Sequence, residues 1–139
     1  MSLESIFVSL RGTAGKSEPG TLFFDLLSVS PADGFKLSPS DNPHKAARLV
    51  VLELERGHHP QRLSSEQCAE QIKSQFLRAA EWLSSRPSKT FENCRAQGFD
   101  LDVFISLWIE NDQVDLDVPP EFLLACGQAG LPIAICSND

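Results

Sequence analysis

The chain has 139 residues, of which 42% are hydrophobic and 22% charged, and its net charge is −7. This size and composition fit one globular domain with a real hydrophobic core, so a single domain over residues 1–139 is expected. The longest apolar runs are shorter than the ~20 residues that a membrane span needs, and the N-terminus has no pattern of a secretory signal. A cytoplasmic protein is therefore expected.

The first half of the chain predicts two strands separated by irregular segments. Alternating apolar residues and serines predict a strand over 5–10, followed by a glycine-rich turn at 11–20. Residues 18–30 fit either a helix or a buried strand, and we favour a short helix that ends before Pro31. Prolines and polar residues predict a loop over 31–45. A second strand is predicted over 46–55, with a further loop at 56–63.

The clearest helix in the sequence covers residues 65–85. Ser64 and Gln67 form a capping-box pattern at its start, and Pro87 prevents its continuation. Apolar residues recur at steps of three and four and make one stripe that should face a sheet. The members of this stripe are Cys68, Ile72, Phe76, Ala79 and Leu83.

The remaining elements complete an α+β pattern. A short helix capped by Ser88 and stopped at Gly98 leads into an interior strand over 101–109. A hairpin to a partner strand over 113–118, a helix from Pro119 to a glycine stop at Gly130, and a last strand over 131–137 follow. The element order β-α-β-α-α-β-β-α-β predicts a single mixed or antiparallel sheet of about five strands, with helices mainly on one face.

Charge is distributed unevenly along the chain. Residues 1–95 carry a net charge of +1, whereas residues 96–139 carry −8 and contain no Lys or Arg. Such an asymmetry bears on partners and association rates and not on the fold. It argues against nucleic-acid binding, because phosphates would be repelled, and it favours a basic protein as partner.

The stretch of residues 100–123 concentrates seven carboxylates: Asp100, Asp102, Glu110, Asp112, Asp115, Asp117 and Glu121. On the predicted hairpin, Val114 and Leu116 face the core, and Asp115 and Asp117 face outward. The spacing differs from a calcium-binding EF-hand loop. A solvated surface, a docking surface and a metal site are all consistent with the pattern. As a docking surface it would use Asp112, Asp115 and Asp117, together with Glu110 and Glu121.

Other candidate sites have weaker patterns. Gly15-Lys16-Ser17 matches only the end of a phosphate-binding loop, because the first glycine of that motif would have to be residue 10, which is leucine. His44, His58 and His59 lack the spacing of helical metal ligands. We therefore expect no bound cofactor and no metal.

The nucleophilic side chains also lack a recognisable catalytic pattern. The four cysteines, Cys68, Cys94, Cys126 and Cys136, form no CxxC pair and are expected to be reduced and partly buried. No serine lies in a G-x-S-x-G nucleophile elbow. The sequence therefore does not predict an enzyme, and an uncharacterised activity is the least favoured alternative.

Residues 76–139 resemble the C-terminal half of a family of small bacterial α+β proteins of unassigned biochemical activity. The resemblance depends on Gly98 with Asp100 before a strand, Pro120 with Leu124 in a helix, the glycine stop Gly130, and an apolar last strand. In the first half, Leu26, Leu27 and Pro31 match, whereas Lys36 lacks the glycine of a K-G-D turn and the following strand lacks tryptophan.

Several proteins of this family are encoded beside secreted toxins and act as immunity proteins. The resemblance therefore implies an immunity protein that binds and blocks a cognate bacterial toxin in the cytoplasm. The toxin would be a basic protein, such as a nuclease or a nucleotide-acting enzyme. A monomer or weak homodimer is expected, with no membrane or nucleic-acid partner. The alternative is a small-ligand or regulatory binding domain.

Overall fold

The computed structural model describes residues 3–14, 25–27, 37–39, 48–58, 65–87, 89–109 and 116–137. The fold is α+β, with helices packed against a single mixed sheet. Strands β1 (Leu3–Ala14), β3 (Arg48–His58) and β4 (Phe99–Ile109) are long, whereas β2 (Leu37–Pro39) and β5 (Ile133–Ser137) are short. The helices are α1 (Ser65–Ser84), α2 (Thr90–Ala96) and α3 (Pro120–Gln128).

Strand β1 lies at the centre of the sheet, whose strand order is β2-β3-β1-β4-β5. It pairs antiparallel with both β3 and β4, and the register with β3 shifts between Val8 and Ser9. Strand β5 runs parallel to β4, as expected for a strand reached through a crossover helix. The two short strands thus form the two edges of the sheet.

The core lies between one face of this sheet and the helices. Ile6, Val8 and Leu10 of β1 are buried beside Leu107, Ile105 and Val103 of β4, their register partners. The apolar stripe of α1 covers them, and the ring of its Phe76 meets Phe122 of α3 edge-on, with centroids 4.9 Å apart. The buried residues of the α1 stripe are Ile72, Phe76, Ala79 and Leu83, as the periodicity predicts.

Helix α3 ends in a complete Schellman motif. Gly130 has a φ of 68°, its N–H donates to the Gly127 carbonyl, and the Leu131 N–H donates to the Cys126 carbonyl. These two bonds satisfy carbonyls that a helix end would otherwise leave unpaired. The predicted glycine stop is confirmed, and the turn directs the chain into β5 beside β4. Gly98, with a φ of 93°, follows α2 in the same position.

The order of elements along the chain differs from the predicted one. Residues 37–39 form β2, although the segment 31–45 is predicted to be a loop. Residues 116–118 are not a strand, although a partner strand is predicted over 113–118. They lead directly into the proline-initiated helix α3, and residues 113–115 lie outside the described residues. The N-cap position of α2 is Lys89 and not Ser88.

The strands are also longer than predicted. Strand β1 continues to Ala14, into the predicted glycine-rich turn, and β3 continues to His58, into the predicted loop. Pairing with the central strand explains both extensions, because Ala14 pairs with Arg48 and Phe99, and His58 pairs with Ser5. Residues 25–27 are helical, in agreement with the favoured alternative for that segment.

Candidate functional site: a cleft between α1 and α3

Asp117 and Glu121 are the two predicted docking residues that the structure describes, and both are exposed. Asp117 lies between Leu116 and Val118, which pack against the core, so the predicted alternation of outward and inward side chains is present without a strand. Glu121 lies in the first turn of α3, where a carboxylate is stabilised by the helix dipole. The other three predicted docking residues, Glu110, Asp112 and Asp115, lie outside the described residues.

The segment before α3 and the N-terminal half of α1 enclose a cleft of about 390 Å³. The two prolines define the start of α3, because Pro119 is buried with an extended backbone and Pro120 is the first helical residue. The cleft is lined by Ala69, Glu70, Ile72, Lys73, Asp117, Val118, Pro119, Pro120 and Glu121.

The cleft combines an apolar floor with an acidic rim. Ile72, Val118 and Pro119 are buried or half-buried and provide the floor. The charged rim residues are the exposed Glu70, Asp117 and Glu121, opposed by the single ammonium group of Lys73. A surface of this kind fits a cation that carries an aliphatic stem, such as a lysine or arginine side chain.

Helix α1 contributes residues that the sequence did not single out. Glu70 and Lys73 look like ordinary members of a solvated helix face, and no spacing in the sequence distinguishes them from their neighbours. Only the packing of α3 beside α1 brings them to Asp117 and Glu121. The cleft is therefore a tertiary feature that sequence periodicity could not identify.

Asp102 has a different role from the acids of the cleft. Arg11 lies directly opposite it on β1, donating from Nε to Asp102 Oδ1 at 2.8 Å and from Nη2 to Oδ2. The guanidinium also stacks on Phe104, 4.1 Å from the ring centroid. The hydrogen bond with Asp102 is the main cause that raises the pKa of Arg11, with the carboxylate charge adding to it. One acid of the 100–123 stretch is thus compensated by a base 91 residues away.

A second hollow, of about 460 Å³, lies at the end of the sheet next to Asp100, Asp102 and Arg95. Its charges are largely engaged within the chain. Asp102 is held by Arg11, and Arg95 donates from Nη2 to the carbonyls of Ala129 and Gly130, at 2.5 and 2.9 Å. These bonds place a positive charge at the C-terminal end of α3, where it stabilises the helix. We therefore place the candidate site in the α1–α3 cleft and not in this hollow.

The described cysteines are free thiols with contrasting surroundings. Cys94 and Cys126 are buried, and burial raises the pKa of each to about 11. Cys136 is exposed on β5. Thiols with such raised pKa values are neutral at physiological pH and are poor nucleophiles. The side chain of Cys68 lies outside the described residues.

The remaining sequence candidates contribute little to a site in the described part of the chain. No group of three or more His, Cys, Asp or Glu side chains there is arranged to hold a metal ion. His58 lies at the end of β3, whereas His44, His59 and Gly15-Lys16-Ser17 lie outside the described residues. Among the described helices, none has the length and apolar character required to cross a bilayer.

Comparison with known proteins gave no match: no family model, no curated protein and no solved structure is significantly similar to this chain.

Proposed function

We propose that this chain is an immunity protein that binds and blocks a cognate bacterial toxin in the cytoplasm. The observation that supports this proposal is the α1–α3 cleft, where three exposed carboxylates surround an apolar floor. A basic side chain of the toxin would place its aliphatic part on the floor and its charge at Asp117 and Glu121. The excess of acids over the whole C-terminal segment would speed the encounter with such a partner.

A toxin that acts on nucleic acids or nucleotides is the class of partner that this surface fits. Its substrate-binding surface must attract phosphate and therefore carries Lys and Arg. An inhibitor that covers that surface with carboxylates needs no catalytic group of its own, so the protein is proposed not to be an enzyme. Binding would exclude the substrate because the carboxylates occupy the positions of its phosphates.

The test is a charge change at the cleft, measured against a matched change elsewhere. Asp117→Lys with Glu121→Gln removes the acidic rim next to α3. The control, Glu81→Lys with Glu92→Gln, makes the same charge change at exposed positions on α1 and α2, and Glu92 is also in the first turn of a helix. Both variants should fold, because all four side chains are exposed.

The binding partner for this test is the product of the adjacent gene. The cleft variant should bind at least about tenfold more weakly, mainly through a slower association rate, and should protect cells less well from the toxin. The control should retain most of the affinity. Equal affinity and equal salt dependence of the two variants would show that the cleft is an ordinary solvated surface.

A second candidate function is the binding of a small cationic ligand. The cleft volume lies within the range of ~300–1,000 Å³ that is typical of small-molecule sites. Titration of the purified protein with agmatine and spermidine would distinguish the two functions. Saturable binding that Asp117→Lys abolishes would favour the small ligand, whereas binding only to the toxin favours the immunity function.

A further inference from the structure

The two edges of the sheet are protected to very different degrees. An edge strand exposes unpaired backbone N–H and C=O groups, and proteins usually protect it with a proline, a charge, a bulge or a short length. Strand β2 has only three residues and contains Pro39. Strand β5 has five residues, Ile133–Ser137, without proline or charge, and its register with β4 has no shift.

The middle of β5 also exposes a large apolar side chain. Ile135 is 59% exposed, although its register partner Ile105 is fully buried. The two residues share the helix-covered face of the sheet, so Ile135 lies where that cover ends. In the described part of the chain, β5 has no strand on its outer side. An extended backbone that carries apolar side chains is the chemistry that would complete this edge.

We infer that β5 pairs antiparallel with β5 of a second copy of this chain, with Ile135 on the two-fold axis. A two-fold interface places the same surface of each copy against the other, so each residue must tolerate its own partner. Strand β5 meets this condition because it contains no charged residue, so no charge of one copy would face the same charge of the other. The same neutrality argues against the basic toxin as occupant, since β5 offers that partner no charge complementarity.

Centring the pairing on Ile135 uses the whole strand. Ile133 then lies opposite Ser137 of the second copy, Ala134 opposite Cys136, and Ile135 opposite itself. Any other two-fold centre would pair fewer residues of β5. The two sheets would join into one continuous sheet across the axis, and the exposed Ile135 side chains would cover each other.

The length of β5 sets the strength of this dimer. Five residues of strand extend about 17 Å, which gives an interface smaller than the roughly 1,200–2,000 Å² of a stable protein complex. The dimer should therefore be weak and should form as the protein concentration rises. It is independent of the proposed toxin-binding cleft, which lies between α1 and α3.

The first test follows the sedimentation of the purified full chain as its concentration is raised from micromolar to millimolar. The wild type should change from monomer to dimer. Ile135→Lys should raise the dissociation constant of the dimer by at least about tenfold, because it opposes two charges on the axis and removes the apolar contact. The control is Leu124→Lys, at a 61% exposed position on α3 that lies opposite the buried side of that helix.

Two sedimentation results would overturn the inference. One is a wild type that stays monomeric throughout the concentration range. The other is a folded Ile135→Lys variant that forms dimers as readily as the Leu124→Lys control. Circular dichroism of each variant establishes that it is folded, so that a loss of dimers reports on the edge and not on the stability of the chain.

The second test determines the register of the β5–β5 pairing from disulfide cross-links between two copies. Each cysteine is introduced into a Cys68→Ser, Cys136→Ser variant, which removes these two native thiols. Ile135→Cys should cross-link two copies, because residues directly opposite each other in an antiparallel pair have Cα atoms about 4.5–5.5 Å apart. Ser137→Cys is the control, since the two copies of that residue would be about 14 Å apart. Two results would refute the register. One is cross-linking through Ser137→Cys, and the other is the absence of cross-linking through Ile135→Cys at concentrations where the wild type sediments as a dimer.

Discussion

Replacement of Phe76 by alanine tests the core on which the α1–α3 cleft depends. Phe76 is fully buried in the middle of α1, and its ring packs edge-on against Phe122 of α3, with the ring centroids 4.9 Å apart. Loss of a buried phenylalanine side chain costs about 3–5 kcal/mol, from lost transfer energy and from the cavity that remains. The edge-on contact between the two rings accounts for about 0.5–1.5 kcal/mol of that. We therefore expect Phe76→Ala to lower the free energy of unfolding by about 3–5 kcal/mol.

Urea unfolding monitored by tryptophan fluorescence measures this change, because Trp82 is partly buried on the same helix. A double-mutant cycle with Phe122→Ala isolates the ring contact, and its coupling energy should be about 0.5–1.5 kcal/mol. Leu124→Ala, at an exposed position of α3, is the control and should change stability by less than about 0.5 kcal/mol. A loss below about 1 kcal/mol for Phe76→Ala, with an unchanged denaturant dependence, would contradict the packing of α1 against α3.

Three further predictions concern the end of α3 and the buried thiols. Gly130→Ala should lower the free energy of unfolding by about 1 kcal/mol in the same urea assay, because Gly130 has a φ of 68° and an added Cβ would lie 3.1 Å from Arg95 Nη2. Burial raises the pKa of both Cys94 and Cys126 from 9.0 to about 11. At Cys94 the nearby charge of Arg95 lowers the pKa, but burial has the larger effect. Because the folded-state pKa is the higher one, stability should be unaffected below pH 9 and should fall between about pH 9 and 11. In the native protein at pH 8, Cys136 should react with a thiol reagent while these two cysteines stay unmodified, and fast labelling of all of them would contradict their burial.

Helix α1 and the end of α3 could be predicted from the sequence because their signals are local. A stripe of apolar residues at helical spacing identifies a buried helix face without knowledge of its partner. Gly130 signals a helix end because glycine adopts a positive φ without steric cost. In both cases neighbouring residues contain enough information to determine the structure.

The predictions that failed depend on pairing between distant parts of the chain. Strand β2 is only three residues long and includes Pro39, so its propensity gave no strand signal and only pairing with β3 makes it a strand. The segment 116–118 has the alternation of a strand, but it leads directly into the proline-initiated α3. Pairing with β3 thus overrode the loop signal at residues 37–39, whereas residues 116–118 pair with no strand in the described part of the chain.

The acidic stretch itself divides into residues with separate roles once the fold is known. Asp102 is opposite Arg11 in the sheet, and the charge-assisted hydrogen bond between them links β4 to β1. Asp117 and Glu121 are exposed at the rim of the cleft, where their charges face solvent. A charge change at Asp102 would therefore act on stability first, whereas one at Asp117 would act first on the proposed binding. Because every carboxylate contributes equally to the charge of the stretch, only the position of each residue in the fold separates these two effects.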